Sequence, residues 1–482
     1  MGRRAYNPLP PGNASMDPSN TSKIHRGYSS ASVHSGPIPH SEIGYVSSGG
    51  CSKFGKLYSV LEQLFVFLLL LSSMNVIAGL KPSSREQTEV KIFSADVDTS
   101  IVAIEAGVYA FGGVLVLLHS RRVLRAARTA WPLLALAVLA CISTTWSVQP
   151  TVTLRRSLSL LAATILAVYI GERYSIKAFA RLLAQTMCLM LMLVLVFYWV
   201  APEYVVDHSA YGGAWKGLSR DKNTFGEHMA VAVLLLALVR FRRFYWVRYV
   251  FLLIAASLLL LSRSATALAC GILGLAAVPL WRLMRGKQRL LAYLGLPLIF
   301  FLAVLCILAF PEPIFQIFGR DTTLTGRTHL WALLLPLIAN HPILGYGYGA
   351  FWAGLNAEVL SVWIASQRLV PAADSGYIDL CLNLGAVGIC LFLYVFIGAF
   401  RRAMEYVRSE PGFIGLWPIT YLCIFAMDNI CETALLTRGT FPFLVFAILT
   451  TSLAVNRQRV LNTTRTADSQ PLMWEWGLPL SR

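Results

Sequence analysis

The sequence has little charge for its size. Only 13% of its 482 residues are Asp, Glu, Lys or Arg, whereas 56% are hydrophobic. A soluble protein carries about twice that share of charge, which excludes an ordinary soluble domain. Apolar runs of roughly 20 residues recur along the chain, long enough to cross a bilayer as helices. The composition therefore predicts an all-α polytopic membrane protein.

Acidic residues are scarce, with 24 Asp and Glu against 41 Lys and Arg, for a net charge of +17. A basic chain can bind nucleic acid, but here the basic residues stand in short clusters between apolar runs. That is the positive-inside pattern, so no nucleic-acid partner is predicted. The nine cysteines are scattered, mostly within apolar runs, and lack the spacing of metal ligands. We predict neither a disulfide framework nor a metal site.

The apolar runs predict about twelve transmembrane helices within residues 57–456. Residues 1–56, rich in Ser, Gly, Pro and Asn, are predicted to be a disordered tail, and residues 457–482 a second tail. A long polar loop, 311–376, precedes the last three spans, and its segment 328–339 is predicted to be a re-entrant or interfacial helix. The predicted spans lie near 59–80, 101–118, 131–147, 154–171, 179–200, 225–240, 246–262, 265–281, 290–310, 377–399, 412–428 and 439–455.

Basic clusters follow the second, fourth, sixth, eighth, tenth and twelfth predicted spans. The positive-inside rule then predicts that both termini are cytoplasmic and that the loops at 201–224 and 311–376 face outward.

Other cations lie on the predicted outer side, where topology gives no reason for them. A charge near membrane depth costs about 2.5–3.5 kcal/mol on insertion scales, so it usually has a partner or a function. Several cations at one membrane face indicate an anionic ligand, and the planar fork of arginine suits phosphate oxygens. These cations are Lys216, Arg220, Lys222, Arg263, Arg320, Arg327, Arg368 and Arg438, with Arg155 and Arg156 just inside the fourth span.

Two groups of these cations stand at predicted helix ends. At the start of the sixth span, Ser219 or Asp221 is predicted to cap the helix. Arg220, Lys222 and the free backbone N–H groups would then form an anion site, and the alternative is an ordinary capped helix with solvated cations. Arg263 lies in the tight outer turn between the seventh and eighth spans. It either binds a ligand or clamps the turn.

The long loop carries a third group. Arg327 and Trp331 are predicted to share one face of a short helix, since they are four residues apart. The Gly-Tyr-Gly-Tyr-Gly segment at 345–349 offers a flexible backbone with aromatic surfaces that suit sugar rings, or else it is an ordinary glycine-rich turn. It is not a nucleotide fingerprint, because no strand precedes it. His329 and His341 are each either structural or catalytic.

Eight short segments carry a family resemblance by their order, spacing and predicted place on the outer face. They are 143–150 (STTWSVQP), 153–156 (TLRR), 221–223 (DKN), 262–264 (SRS), 325–331 (TGRTHLW), 341–347 (HPILGYG), 376–379 (GYID) and 383–385 (NLG). Between about residues 60 and 455 the chain resembles the O-antigen ligase and surface-polysaccharide polymerase family, in particular its exopolysaccharide (succinoglycan-type) polymerase branch.

The resemblance implies a metal-independent glycosyltransferase with a GT-C-like helical membrane fold and no cofactor. Such enzymes act at the periplasmic face of the bacterial inner membrane on sugars linked to undecaprenyl diphosphate, and arginines are thought to hold the diphosphate. By position, that catalytic role falls here to Arg220, Arg263 and Arg327. Further predicted substrate contacts are Lys222, Asn223 and Arg156 near the diphosphate, and Trp331, Tyr346 and Tyr348 as surfaces for sugars.

The predicted activity is the polymerisation of lipid-linked repeat units into exopolysaccharide. Two alternatives are a ligase that transfers the same donors to another acceptor and a flippase or exporter without chemistry. A transporter usually has polar residues at the bilayer midplane and repeated halves, neither of which is evident here. The partners implied are undecaprenyl-diphosphate-linked oligosaccharide and membrane lipids, with a chain-length regulator and export machinery left open.

One position departs from the family pattern. Many relatives carry a His-Asn pair just before the span that follows the long loop, and that histidine is proposed to be catalytic. This chain has Asp374 and Ser375 there. A carboxylate can still take a proton from a sugar hydroxyl. Asp374, His329 and His341 are therefore the candidates for acceptor activation or sugar binding.

Overall fold

A computed structural model describes residues 53–76, 99–207, 213–241, 245–283, 327–354, 356–367, 369–410 and 412–468. All of these lie within one structural unit, Gly44–Arg482. Most of the predicted first tail, the predicted span at 290–310 and the outer cations Arg320 and Arg368 fall outside the described residues.

The described chain is mainly helical, and every predicted span other than 290–310 overlaps a helix. A single helical turn lies at Pro202–Val205, and 3-10 turns lie at Ser143–Thr145 and Phe413–Leu416. The longer helices are α1 (Lys53–Ser73), α2 (Thr99–Leu118), α3 (Ser120–Thr129), α4 (Trp131–Ile142), α5 (Pro150–Arg173), α6 (Ile176–Val200), α7 (Lys222–Leu238), α8 (Val247–Leu261), α9 (Ala265–Leu283), α10 (Arg327–Asn340), α11 (Ala357–Ser366), α12 (Gly376–Ser409), α13 (Trp417–Cys431) and α14 (Phe441–Asp468).

Length and apolar composition identify the membrane-crossing helices. Within the described ranges, five helical segments are long and apolar enough to cross: Gly55–Ser73, Pro150–Arg173, Ile176–Val200, Gly376–Ser409 and Phe413–Cys431. The bent pair Ala103–Leu118 and Ser120–Thr129 makes a sixth if it is one span. Helices α4, α8, α9 and α11 are apolar but shorter. The chain is thus a multi-pass helical membrane protein, and the number twelve stays a prediction.

The element boundaries differ from the prediction in several places. Helix α1 begins at Lys53, inside the predicted first tail, and α14 continues to Asp468, well into the predicted second tail. Helix α3 was expected to be a basic connection, but it is a helix bent by 93° from the one before it. The predicted outer loop at 201–224 contains a small antiparallel strand pair, β1 (Val206–Asp207) and β2 (Ala214–Trp215).

Helix α7 forms the centre of the bundle. Nearly all of its side chains from Phe225 to Leu238 are buried, because α6, α8, α9 and α13 pack around it. A helix that is apolar on every face is expected to be enclosed in this way. Helix α14 packs on both α5 and α12 beside this group. The N-terminal end of α7 is therefore held among the ends of α9 and α13, which is where the candidate site lies.

Helix α12 is broken at Gly385, where φ is 59° and ψ is −156°. The segment 342–347 fills the break: Tyr346 N–H donates to the Leu382 carbonyl at 2.7 Å, and Val387 N–H donates to the Ile343 carbonyl at 3.2 Å. A Cβ on Gly385 would lie 2.3 Å from the Ile343 oxygen. Irregular backbone at membrane depth needs such partners within the protein. The glycine-rich segment is thus a packed turn, the second of the two predicted alternatives.

Candidate functional site

Arg327, the first residue of α10, occupies the centre of the candidate site. Its side chain is 13% exposed, its Nη2 donates to Glu432 Oε1 at 2.7 Å, and its Nε lies 3.7 Å from Asp374 Oδ2. One helical turn later, Trp331 Nε1 donates to the carbonyl of Ala373 at 2.9 Å. Arg327 and Trp331 therefore contact the same short segment, which confirms that they share a helix face.

The charges around Arg327 affect one another strongly. Burial raises the pKa of Glu432 to about 8, with a further contribution from the charge of Asp428, although Arg327 opposes this shift. Burial alone would lower the pKa of Arg327, but Glu432 and Asp374 outweigh it and raise that pKa above its ordinary value. Arg327 thus stays charged, while Glu432 changes its charge near neutral pH.

Asp379, in the first turn of α12, holds the two acidic partners of Arg327 in place. This buried carboxylate accepts hydrogen bonds from Trp352 Nε1 at 2.7 Å, Ala373 N at 3.1 Å and Thr433 Oγ1 at 2.8 Å. Ala373 directly precedes Asp374, and Thr433 directly follows Glu432. One buried side chain therefore links the long loop to the residues just after α13.

Asp221 caps α7, which settles the choice between the two predicted caps. Its side chain accepts from the N–H groups of Asn223 at 2.9 Å and Thr224 at 3.0 Å. The Ser219 hydroxyl lies instead 3.1 Å from His228 Nδ1. Lys222 and Asn223 are half-buried in the first turn of the helix. The cap fixes the direction of the α7 N-terminus, whose partial positive charge favours anions.

The turn that carries Arg263 packs on the start of α7. A Cβ on Gly226 would lie 2.9 Å from Ser262 Oγ, so only glycine permits this approach. Just beyond the turn, the side chain of Thr266 lies against the thiol of Cys431, the residue before Glu432. The segments of the three predicted diphosphate-binding arginines therefore meet at one end of the bundle. Arg220 and Arg263 themselves are exposed.

Three other predicted site residues make structural contacts in the glycine-rich turn. The Tyr346 and Tyr348 side chains are only 2% and 5% exposed, which leaves little surface for a sugar ring. Their hydroxyls donate to the carbonyls of Leu337 at 2.9 Å and Leu436 at 2.6 Å. Arg156 donates through Nη1 to the carbonyl of Gly349. These three side chains hold the turn against α10, α5 and the segment after α13.

The two predicted histidines are both exposed. His329 is two residues after Arg327 in α10, which places it on another side of that helix. The His341 ring packs edge-to-face on Tyr346, with the ring centroids 4.4 Å apart. Of the candidates for acceptor activation, only Asp374 contacts Arg327.

Sequence reasoning missed the acidic half of the site. Glu227, Asp428 and Glu432 lie close enough for their charges to interact, and the buried carboxyl groups of Glu227 and Asp428 hydrogen-bond to each other. A signal was available: acidic residues inside or beside apolar helices are as costly as basic ones. The cost of a charge near membrane depth was applied to Lys and Arg and not to Asp and Glu.

Comparison with known proteins confirms the family resemblance. Residues 249–393 match the O-antigen ligase family model. This range includes Arg263, Arg327 and Asp374, whereas Arg220 and Glu432 lie outside it. The chain is also similar to the exopolysaccharide production protein ExoQ of Rhizobium meliloti (strain 1021), with 25% identity over 312 residues. That similarity covers 61% of this chain and 70% of the relative.

Proposed function

We propose that this protein is a polysaccharide polymerase of the bacterial inner membrane. It transfers a growing glycan from undecaprenyl diphosphate to a hydroxyl of the next lipid-linked repeat unit at the periplasmic face. The family match and the similarity to an exopolysaccharide production protein support an enzyme of exopolysaccharide or O-antigen synthesis. The carrier lipid and the membrane face are inferred from the family resemblance and from the distribution of cations.

The proposed topology has twelve spans in a GT-C-like arrangement, with cytoplasmic tails at 1–56 and 457–482 and a transmembrane domain between them. The basic end of the bundle, with α3 and the ends of α12 and α14, faces the cytoplasm. The end that carries Arg327 faces the periplasm, and the loop 311–376 lies there. Cation asymmetry supports this orientation, because short cytoplasmic connections are enriched in Lys and Arg.

The observation that carries the proposal is the placement of Arg327 between Asp374 and Glu432, where the α7, α9 and α13 ends meet. The bond from the donor sugar to the diphosphate breaks as the acceptor oxygen attacks, and negative charge grows on the departing diphosphate. A preorganised guanidinium stabilises that charge, and one such donor is worth about 2–4 kcal/mol. Arg220 and Arg263, on the two adjoining segments, supply further positive charge without a metal.

Asp374 is the proposed proton acceptor for the attacking hydroxyl. Its side chain is 46% exposed and its carboxylate lies 3.7 Å from Arg327, so it is open to an acceptor and close to the diphosphate position. It also stands where many relatives carry a histidine. The acceptor hydroxyl loses its proton to this carboxylate as its oxygen bonds to the sugar, and the electron pair of the broken bond leaves with the diphosphate.

Replacement of Arg327 by Ala tests the proposal in a strain that depends on this protein for its polymer. We expect polymer to fall by at least about 100-fold, the equivalent of about 2.7 kcal/mol, while single repeat units accumulate on the carrier lipid. The matched control is Arg181→Ala, which removes an exposed arginine near the start of α6. Normal polymer length and amount, with the variant protein present at the wild-type level, would refute the proposal.

A ligase is the second candidate, and the description of the matching family model favours it. The two activities leave different products when the protein is deleted. Loss of a polymerase leaves single repeat units on the carrier lipid, whereas loss of a ligase leaves complete polymer there. Analysis of the lipid-linked glycans in a deletion strain therefore separates them.

A further inference from the structure

A cavity of about 330 Å³ opens at the basic end of the bundle, between α4, α12 and α14. Helix α12 begins beside Asp374 and passes this cavity near its other end, so the cavity is separate from the candidate active site. Its walls include Leu133 from α4, Tyr394, Arg401 and Arg402 from α12, and Thr450 and Arg457 from α14.

The cavity carries excess positive charge. Arg401 is exposed and Arg402 is half-buried, and neither makes a hydrogen bond or ion pair with the described part of the chain. The charge of Arg457 repels Arg402, and the charge of Glu405 partly offsets this repulsion. Arg457 is paired with Glu405 at 3.0 Å. The three wall arginines and the adjacent Glu405 together carry a net charge of +2. Repulsion between closely spaced arginines disfavours the empty cavity, and a bound anion would relieve it.

The protein surface around the cavity entrance is apolar and aromatic. Tyr394 and Trp131 are 57% and 55% exposed, and their ring centroids lie 6.0 Å apart. Ile397 on the same helix is also exposed. Tyrosine and tryptophan favour the boundary between lipid headgroups and acyl chains. A soluble anion gains nothing from this surface, whereas a lipid presents a phosphate and a hydrocarbon chain together.

The short helix α3 leads directly to the cavity. It carries four arginines and is bent by 93° from the helix before it. It ends at Thr129, next to the cavity residues Ala130 and Pro132. A basic amphipathic helix of this kind lies along an anionic membrane surface, where its cations attract the lipid headgroups. Anionic lipids would therefore be concentrated at the cavity entrance.

We infer that this cavity binds the headgroup of an anionic glycerophospholipid. The phosphate pairs with Arg401 and Arg402, and the acyl chains extend outward past Ile397. The volume suits a headgroup and not a whole lipid, so the chains remain in the bilayer. The bound lipid bridges α12 and α14, which pack on α13 and α5 respectively.

Native mass spectrometry of the purified full-length protein tests this inference. Phosphatidylglycerol and phosphatidylcholine of equal chain length are offered in competition. We expect the wild-type protein to retain phosphatidylglycerol at least about tenfold better, which corresponds to 1.4 kcal/mol. Both lipids carry the phosphate, but only phosphatidylcholine brings a quaternary ammonium that the wall arginines repel. The variant R401Q/R402Q should lose most of this preference, and Arg408→Gln, on the same helix but outside the cavity, should keep it.

Three results would overturn the inference. One is equal retention of the two lipids by the wild-type protein. This comparison does not use the double variant, so it tests the inference even if that variant does not fold. Another is an equal loss of preference in Arg408→Gln, which would indicate a general surface charge effect. The last is displacement of phosphatidylglycerol by millimolar inorganic phosphate, which would indicate a site for free anions. The measurement needs no enzymatic activity, so it is independent of the proposed function.

Discussion

Asp379→Asn should weaken the candidate site without touching Arg327. The wild-type carboxylate accepts from Trp352, Ala373 and Thr433. An amide has one oxygen, which can accept from Trp352 and Ala373 while the NH₂ group faces the Thr433 hydroxyl, which then accepts instead of donating. Charge-assisted bonds contribute about 1.5–3 kcal/mol and neutral ones about 0.5–1.5 kcal/mol, so replacing three of the former by three of the latter should cost about 3–4.5 kcal/mol.

That cost falls on the contact between the long loop and the residues after α13. Ala373 and Thr433 adjoin the two acidic partners of Arg327, so the arginine should lose its fixed position. We expect a lower thermal unfolding temperature in detergent and at least tenfold less polymer per folded protein. The control is Glu358→Gln, which neutralises an acidic residue in α11 of the same loop. A wild-type unfolding temperature together with wild-type polymer yield in Asp379→Asn would refute this reasoning.

Two further predictions concern the same end of the bundle. Burial raises the pKa of Glu432 to about 8, so this residue is mostly neutral below that pH and ionised above it. If Arg327 holds the diphosphate as proposed, the ionised carboxylate competes with the diphosphate for the guanidinium. The KM for the lipid-linked donor should therefore rise between pH 7 and 9 in the wild-type enzyme and stay level in Glu432→Gln; parallel profiles would contradict this. Gly376→Ala places a Cβ 2.2 Å from Asn429 Oδ1. The unfolding temperature of this variant should therefore fall, by the equivalent of about 1–3 kcal/mol. Gly113→Ala, where a Cβ meets nothing within 4 Å, should unfold at the wild-type temperature or slightly above it, because alanine favours a helix interior more than glycine does.

Much of the helical framework could be predicted from apolar runs, because a membrane helix must satisfy its backbone internally and must be long enough to span. The ends of the helices were less accurate. Helix α3 was missed because its arginines and short length resemble a cytoplasmic connection. Its amphipathic pattern indicates a helix that lies along a membrane surface, and a search for long apolar runs does not detect such a helix.

The candidate site could be predicted only in part. The predicted topology leaves a cation on its outer side, such as Arg327, without an explanation, and the spacing to Trp331 correctly predicts a shared helix face. Neither property reveals the pairing with Glu432, which lies 105 residues away in sequence. Tyrosine beside glycine suggests an exposed aromatic surface as readily as a packed turn. Burial of Tyr346 and Tyr348 depends on the neighbouring helices, and local sequence does not encode it.

Two glycines allow the long loop to pack into the break in α12. Gly345 in the long loop and Gly385 within α12 both adopt positive φ, at 65° and 59°. Each alone suggests flexibility or a weak helix. A Cβ on Gly345 would lie 2.6 Å from the Leu382 carbonyl, and one on Gly385 would lie 2.3 Å from the Ile343 carbonyl. The loop thus supplies partners for the broken helix, and the break anchors the loop. Since α10 leads into this anchored turn, the position of Arg327 depends on it, and Gly385, although distant from Arg327 in sequence, still contributes to placing the arginine.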